Sequence, residues 1–159
     1  MHKAQIVMTD MFMALIILIF LLLSFATAWN VYSSRLSDAI YRGELELYTM
    51  QFTNQLIRSP GIPDNWEENN TEELEDFVIG LAEKDRIISE KKLEEFEKLD
   101  YNLIKNVSNL GAYNFYFLLL KGNVSVVEIG SYPAGQSTKL RRNVLYKNET
   151  SIVEVSLWK

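Results

Sequence analysis

The chain has 159 residues and a formal net charge of −5, which suits one modest domain plus a membrane segment. This acidic balance argues against a general nucleic-acid binder. The absence of cysteine excludes disulfides and thiolate chemistry, and the single histidine, His2, gives no basis for a histidine metal site or a Ser/His/Asp triad.

An apolar run near the N-terminus is the strongest signal in the sequence. The 19 residues from Met11 to Trp29 contain only two polar side chains, Ser24 and Thr27. A helix rises about 1.5 Å per residue, so this run spans close to the ~30 Å hydrocarbon core of a bilayer. A small soluble domain has little interior in which to bury a helix that is apolar all round. The sequence therefore predicts a single-pass transmembrane helix over residues 11–29, with membrane lipid as its partner.

Cleavage by a signal peptidase is an alternative, because Ala26-Thr27-Ala28 forms a small-x-small site. Beyond that site, however, apolar residues keep stepping by three or four along the chain: Leu36, Ile40, Gly43, Leu47 and Met50. Pro60 and Gly61 then end the pattern. The spacing predicts one helix over residues 5–58, with a transmembrane first half and an amphipathic second half.

The residues before the apolar run resemble a known processing signal. The segment "KAQI", followed by an acid and a long apolar run, resembles the class III signal peptide of archaeal type IV pilin-like proteins. In that family a prepilin peptidase cuts on the cytoplasmic side, after a Lys-Gly or Lys-Ala pair. The resemblance thus implies a leader of residues 1–4 and a cut between Ala4 and Gln5, recognised through Lys3, Ala4 and Gln5.

The similarity extends into the body of the chain. The segments "SPGIPDNW" (59–66), "IGLAEKDRIISEKKLEEF" (79–96) and "YNFYFLL" (113–119) resemble the body of short archaeal proteins that carry this signal. In bacterial type IV pilins the acid is usually glutamate at the fifth mature position, whereas Asp10 here would be the sixth. The resemblance implies a filament subunit that meets other pilin-like subunits and the pilus assembly machinery.

Asp10 stands at the rim of the apolar run, where a carboxylate is costly unless it reaches the headgroups or a partner. For an isolated anchor, a position at the interface explains it. In an assembly, it could pair with the new α-amino group of Gln5 on a neighbouring subunit. Gln5 and Asp10 are roughly 7–8 Å apart along a helix axis, so such a pair would favour one axial register.

The remaining residues, 59–159, are expected to form an extracytoplasmic domain whose first part, 64–110, is acidic and helical. Between Asp64 and Asp100 there are 14 acids and 5 bases, a local net charge of −9. Ser89 and Asp100 are predicted N-caps of two short helices, residues 90–99 and 101–108. The acids lack the spacing of a calcium-binding loop, so a solvated face is favoured over a metal site and no cofactor is expected.

From Tyr113 the sequence period changes to two, which predicts strands. Four such runs follow: "YNFYFLLLKG", "VSVVEIGS", "RRNVLYKN" and "TSIVEVSLW". Gly122-Asn123 and Asn148-Glu149 are predicted tight turns. We expect a four-strand antiparallel meander over residues 113–158, packed against the amphipathic half of the long helix. The predicted fold class is α+β: a long N-terminal helix, short helices and this sheet, which is also the architecture that the pilin resemblance implies.

Two surface features bear on location and assembly. Four Asn-x-Ser/Thr sequons favour an extracytoplasmic, N-glycosylated domain, although an Asn-rich chain also makes sequons by accident: Asn69, Asn106, Asn123 and Asn148. Residues 121–159 carry six bases and three acids, a net charge of +3. Incidental surface charge is one interpretation; in a filament, Arg141 and Arg142 in this basic part would contact the acidic part of a neighbouring subunit.

No arrangement of residues indicates an enzyme. Glu94, Glu95 and Glu97 would point to different sides of a helix, and the chain lacks a phosphate-binding loop, a dinucleotide fingerprint and a nucleophile elbow. Two hypotheses remain. One is a membrane-held pilin-like subunit that is processed and assembled into a surface filament. The other is an uncleaved, signal-anchored extracytoplasmic binding or envelope module. Only the first gives Lys3, Ala4 and Asp10 a function.

Overall fold

A computed structural model describes the backbone of residues 2–68 and 77–159, with side chains from residue 8 onward in these ranges. The chain divides into two compact units, Met1–Tyr41 and Arg42–Lys159. One helix, α1 (His2–Arg58), forms the described part of the first unit and opens the second. It ends two residues before Pro60, whose ring cannot continue a helix.

The second unit continues with short elements and then long strands. The order along the chain is β1 (Gly61–Ile62), a 3₁₀ turn (Trp66–Glu68), β2 (Val78–Ile79), β3 (Ala82–Lys84), β4 (Ile87–Ile88), α2 (Glu90–Lys98), α3 (Tyr101–Val107), β5 (Asn114–Lys121), β6 (Val124–Gly130), β7 (Ser137–Tyr146) and β8 (Glu149–Trp158). The α+β class, with a long N-terminal helix and a β-sheet, is confirmed.

The predicted four-strand antiparallel meander is wrong. Among the described residues the main sheet has six strands in the order β3-β4-β7-β8-β5-β6, and β4 runs parallel to β7 while the other pairs are antiparallel. Strand β8 lies between β7 and β5 and is buried from Val153 to Trp158, whereas β6 is an edge strand that is mostly exposed. A meander would have placed the apolar β8 at an edge, where one of its sides would have remained open.

The two hairpin turns decide the register of the long strands. Gly122-Asn123 joins β5 to β6 as predicted, with Gly122 in the left-handed region at φ 61°. The second turn is Lys147-Asn148, not Asn148-Glu149, because Tyr146 pairs with Glu149. Lys147 and Asn148 have φ of 50° and 61°, the conformation of a type I′ turn. Moving a two-residue turn by one position shifts the register by two residues, so that Arg141 lies opposite Glu154 instead of Ser156.

The core of the second unit lies between α1 and one face of the sheet. Phe115, Phe117 and Val155 on the central strands are completely buried, and Phe52 of α1 packs edge-on against Phe115 with ring centroids 5.5 Å apart. Phe96 of α2 meets Phe117 in the same way at 5.4 Å. Aromatic pairs of this geometry add about 0.5–1.5 kcal/mol beyond their buried area.

The buried face of α1 differs from the apolar stripe seen in the sequence. In the second unit Leu47 and Met50 are exposed, whereas Leu45, Thr49 and Thr53 are buried. The hydroxyls of Thr49 and Thr53 donate to the carbonyl oxygens one turn earlier, at 2.6 and 2.7 Å, which allows threonine in an apolar interface. Because two of its buried residues are threonines, the core face of α1 cannot be identified from the positions of apolar residues alone.

The predicted helices α2 and α3 are confirmed, with Ser89 and Asp100 at their N-cap positions. The Asp100 side chain accepts hydrogen bonds from the backbone N–H groups of Asn102 and Leu103, at 2.9 and 3.2 Å. Ser89 makes no side-chain cap bond. The short strands β3 and β4 were not predicted, because elements of two or three residues carry no readable periodicity.

Lys92 fastens the loop that follows α1. Although it is a cation, its side chain is buried, and its Nζ donates to the carbonyl oxygens of Pro60 and Asp64 at 2.7 Å each. The loop is held again by Trp66, whose indole N–H donates to the Gly80 carbonyl at 2.8 Å. Two buried donors thus fix the connection between α1 and the rest of the second unit.

Replacing Lys92 with Met should lower the free energy of unfolding of the second unit by about 1–3 kcal/mol, because two carbonyl groups lose their donor while the side-chain volume is kept. Denaturant unfolding of the detergent-solubilised chain, followed by tryptophan fluorescence, would measure this. The neighbouring exposed residue supplies the control, since Lys91→Met should change stability by less than about 0.5 kcal/mol. Equal effects of the two variants would contradict the assigned role of Lys92.

Candidate functional site

The first unit is a helix with apolar side chains exposed on all sides. Between Met8 and Ile40, large apolar residues have exposed fractions of 48–73%. The helix is long and apolar enough to cross a membrane, and its most apolar stretch has no buried residue. Exposed apolar surface of this extent indicates contact with lipid or with other apolar surfaces rather than with water.

The polar groups inside the apolar run are satisfied within the helix itself. The Ser24 hydroxyl donates to the Phe20 carbonyl at 2.8 Å, and the Thr27 hydroxyl donates to the Ser24 carbonyl at 2.9 Å. An unsatisfied polar group in hydrocarbon would cost several kcal/mol, so these bonds make the two residues compatible with a membrane interior. Phe25 stacks on Trp29 at the end of the run, with centroids 6.3 Å apart.

The predicted processing residues Lys3, Ala4 and Gln5 lie in the first turns of α1, and their side chains are outside the described part of the structure. Asp10 is exposed on the helix. Among the side chains that the structure describes, no cation lies within ion-pair distance of Asp10. The predicted contact of Asp10 with a neighbouring subunit stays a prediction.

Arg141 and Arg142 are adjacent on β7 and therefore point to opposite faces of the sheet. Arg141 pairs across the strands with Glu154, whereas Arg142 pairs in register with the core residue Val153. One Arg142 nitrogen donates to the Arg141 carbonyl at 3.3 Å. The structure does not bring the two guanidinium groups together into one patch, which sequence adjacency had suggested.

Glu154 is the centre of the outer face of the sheet. Only 4% of its side chain is exposed, and its two oxygens accept from Lys139 Nζ and Arg141 Nε at 2.6 Å each. Burial by itself would raise the pKa of Glu154, but the hydrogen bonds and charges of Lys139 and Arg141 outweigh that effect and lower the pKa below its ordinary value. The sequence shows this carboxylate only as one charged residue in an apolar strand.

An aromatic pair borders this cluster. Tyr116 of β5 is buried, and Tyr132, which is exposed, meets it edge-on with centroids 5.6 Å apart. Burial raises the pKa of Tyr116 to about 12, and a hydrogen bond to Glu128 and the charges of Glu128 and Glu154 act in the same direction. Tyr116 is therefore a neutral hydrogen-bond donor at every physiological pH.

Most bases of the C-terminal part already have partners within the chain. Four of the six form ion pairs among the described residues: Lys121, Lys139, Arg141 and Lys147. Lys147 pairs with Glu90 at the start of α2, and this hydrogen bond raises the Lys147 pKa. The acidic and basic parts of the sequence thus meet within one molecule. Arg142 keeps a charge that no described carboxylate neutralises.

The sequon residues occupy two kinds of position. Asn123 and Asn148 lie in the two hairpin turns and are exposed, and Asn106 is exposed on α3. Asn69 lies outside the described residues.

Two features are relevant to small ligands. A cavity of about 480 Å³ is lined by Arg42, Glu46, Gln136 and Thr138, the last of which lies at the start of β7. Within residues 8–68 and 77–159, no group of three His, Cys, Asp or Glu side chains is arranged to hold a metal ion.

No family model, curated protein or solved structure matches the chain.

Replacing Glu154 with Gln should lower the free energy of unfolding by about 1–3 kcal/mol near pH 7, because two charge-assisted hydrogen bonds weaken in a buried position. The contribution of Glu154 is complete above the carboxyl pKa of the unfolded chain, about 4.3, and is lost as the pH falls through the lower folded-state pKa. The variant should therefore lose less stability than the wild type between pH 5 and pH 3.

Denaturant unfolding at several pH values would measure both effects. Glu149→Gln is the matched control, since its pair with Lys121 is exposed and should contribute less than about 1 kcal/mol. A Glu154→Gln variant with wild-type stability and an unchanged pH profile would contradict the stabilising role of Glu154.

Proposed function

We propose that this chain is a pilin-like structural subunit, held in the membrane by α1, processed by a prepilin peptidase and assembled into a type IV pilus-like surface filament. The observation that carries the proposal is that the two parts of α1 differ in burial. In residues 8–41 its apolar side chains are exposed, whereas in residues 42–58 one face is buried in a folded domain. The same helix thus presents apolar surface in its first part and packs into a folded domain in its second.

The first unit supports storage in a membrane followed by assembly. Lipid covers the apolar side chains before assembly, and the equivalent helices of other copies cover them afterwards. Since helices in lipid gain little from the hydrophobic effect when they associate, packing and a few polar contacts decide the register. Asp10 is the charged residue placed to supply such a contact, to the α-amino group that cleavage before Gln5 creates.

The second unit also offers surface to a neighbour. Leu47 and Met50 leave apolar surface exposed on α1, with exposed fractions of 52% and 45%. Arg142 on β7 adds a positive charge that is available to pair with acidic residues of another copy. In a filament, identical subunits meet through different patches of their surfaces, so such a pairing is possible. Apolar surface supplies cohesion and charge supplies orientation.

Processing is the first test. Mass spectrometry of the N-terminal peptide should find a mature protein that begins at Gln5. Ala4→Leu should block removal of the leader, because the peptidase reads the basic-small pair, while membrane insertion is kept by residues 11–29. Ala14→Leu makes the same change inside the apolar run and should be processed normally.

Three results would contradict the proposal or redirect it. Protein that begins at Met1 would favour the uncleaved, signal-anchored binding or envelope module. Protein that begins at Trp29 would indicate plain secretion. Normal removal of the leader from Ala4→Leu would argue against a prepilin-type peptidase.

Assembly is the second test. Arg142→Glu should leave the domain folded and the chain processed but reduce its incorporation into sheared surface material several-fold, because an attractive charge becomes repulsive. Raising the salt concentration should weaken wild-type incorporation in the same direction, since exposed charges are screened beyond ~8–10 Å.

The choice of variant follows from the sheet. Arg141→Glu is unsuitable, because it would place a second carboxylate beside the buried Glu154. Lys159→Glu makes an equal charge change at the exposed C-terminal residue and is the matched control. If Arg142→Glu is incorporated like Lys159→Glu, with its fold confirmed by circular dichroism, Arg142 has no role in assembly.

A further inference from the structure

Two of the sequons lie in hairpin turns at one end of the main sheet. Asn123 is the second residue of the β5–β6 turn, and Asn148 is the second residue of the β7–β8 turn. Strands β5 and β8 are antiparallel neighbours, so the end of one and the start of the other lie side by side. The ion pair of Lys121 Nζ with Glu149 Oε1, at 2.9 Å, joins the two turns directly.

An N-glycosylation sequon combines an asparagine amide with a hydroxyl two residues later. Both groups must be accessible to the same glycosyltransferase. In the two hairpin turns, the Asn123 and Asn148 side chains are exposed. Ser125 and Thr150 follow their asparagines into β6 and β8, and both are exposed. The amide and hydroxyl of each sequon can therefore be reached together from solvent.

The sequon of Asn106 does not present both of its groups to solvent. It lies in the last turn of α3, and in a helix the side chains of residues i and i+2 point about 200° apart. The Ser108 hydroxyl oxygen is buried without a hydrogen-bond partner among the described residues. Presenting both groups would require unwinding α3, which anchors the fully buried Ile104 in the core.

We propose that the folded domain carries N-linked glycans at Asn123 and Asn148 and not at Asn106. The inference rests on the proposed export of the domain. In the transfer, the Asn Nδ2 displaces the phosphate of a lipid-linked sugar from its anomeric carbon. The Nδ2–C1 bond forms, the C1–O bond to phosphate breaks, and the amide loses one proton to the transferase. The glycans then cover the end of the sheet that carries both hairpin turns.

Glycopeptide and intact-mass spectrometry of the full chain, purified from the membranes of its own host, would test this. All variants carry Asn69→Gln, so that a sequon outside the described residues cannot contribute. The parent should carry two glycans. Asn123→Gln should remove one of them, Ser125→Thr should keep both, and Asn106→Gln should leave the mass of the attached sugar unchanged.

The second site calls for a gentler change. Asn148 has a φ of 61°, a conformation that asparagine tolerates better than glutamine, so Asn148→Gln strains the turn. Thr150→Val removes the same sequon and leaves the turn residues unchanged. Either variant should lose one glycan.

The outcomes separate this inference from the proposed function. A glycan on Asn106 at an occupancy equal to that of Asn123 and Asn148 would overturn the inference that the fold selects the turn sequons. A domain that external protease cleaves on intact cells, yet that carries no sugar at Asn123 or Asn148, would overturn the inference and leave export standing. A domain protected from external protease would overturn the proposed function as well.

Discussion

The exposed apolar surface of α1 is the constraint on which the rest of the molecule depends. Nineteen large apolar side chains between Met8 and Ile40 are exposed in the single chain. Leaving such a surface in water would cost on the order of tens of kcal/mol, at about 25 cal/mol per Å² of apolar area. The helix therefore needs a nonaqueous partner, and both lipid and equivalent helices of other copies meet that need.

In the second unit, one face of the same helix is buried against the sheet. Leu45, Phe52 and Leu56 supply the apolar face that packs on the sheet, and Thr49 and Thr53 bond their hydroxyls back to the helix. Two buried charged side chains elsewhere in the unit, Lys92 and Glu154, also have partners. Lys92 reaches two carbonyl groups, and Glu154 holds two bases on the outer face. These polar contacts fix a unique arrangement where apolar packing alone would allow alternatives.

Much of this architecture was readable from the sequence, and the failures have physical causes. The long helix, α2, α3 and the four long strands carry clear periodicity, strong caps or stop signals. The strand order was not readable, because the pairing of β8 with both β5 and β7 depends on long-range burial. The second hairpin turn was misplaced by one residue, because the sequence alone does not show that both Lys147 and Asn148 adopt positive φ.

The candidate contact residues show the same limit. Adjacency in the sequence suggested one Arg141–Arg142 patch. The alternation of side chains along β7 places them on opposite faces, and Arg141 is already paired with Glu154. The Glu154 cluster has no sequence signature, since its three members are brought together by the register of β7 and β8. The helical conformation of the Asn106 sequon likewise became informative only when compared with the two turn sequons. In each case the missing information was which side chains share a face.

Electron microscopy of sheared surface material, labelled with antibodies against residues 42–159, tests the central claim most directly. We expect thin filaments decorated at regular spacing along their whole length, which disappear when the chain is deleted and return when it is restored. Label confined to the cell envelope, with no filament that depends on the chain, would contradict the proposed role as a filament subunit.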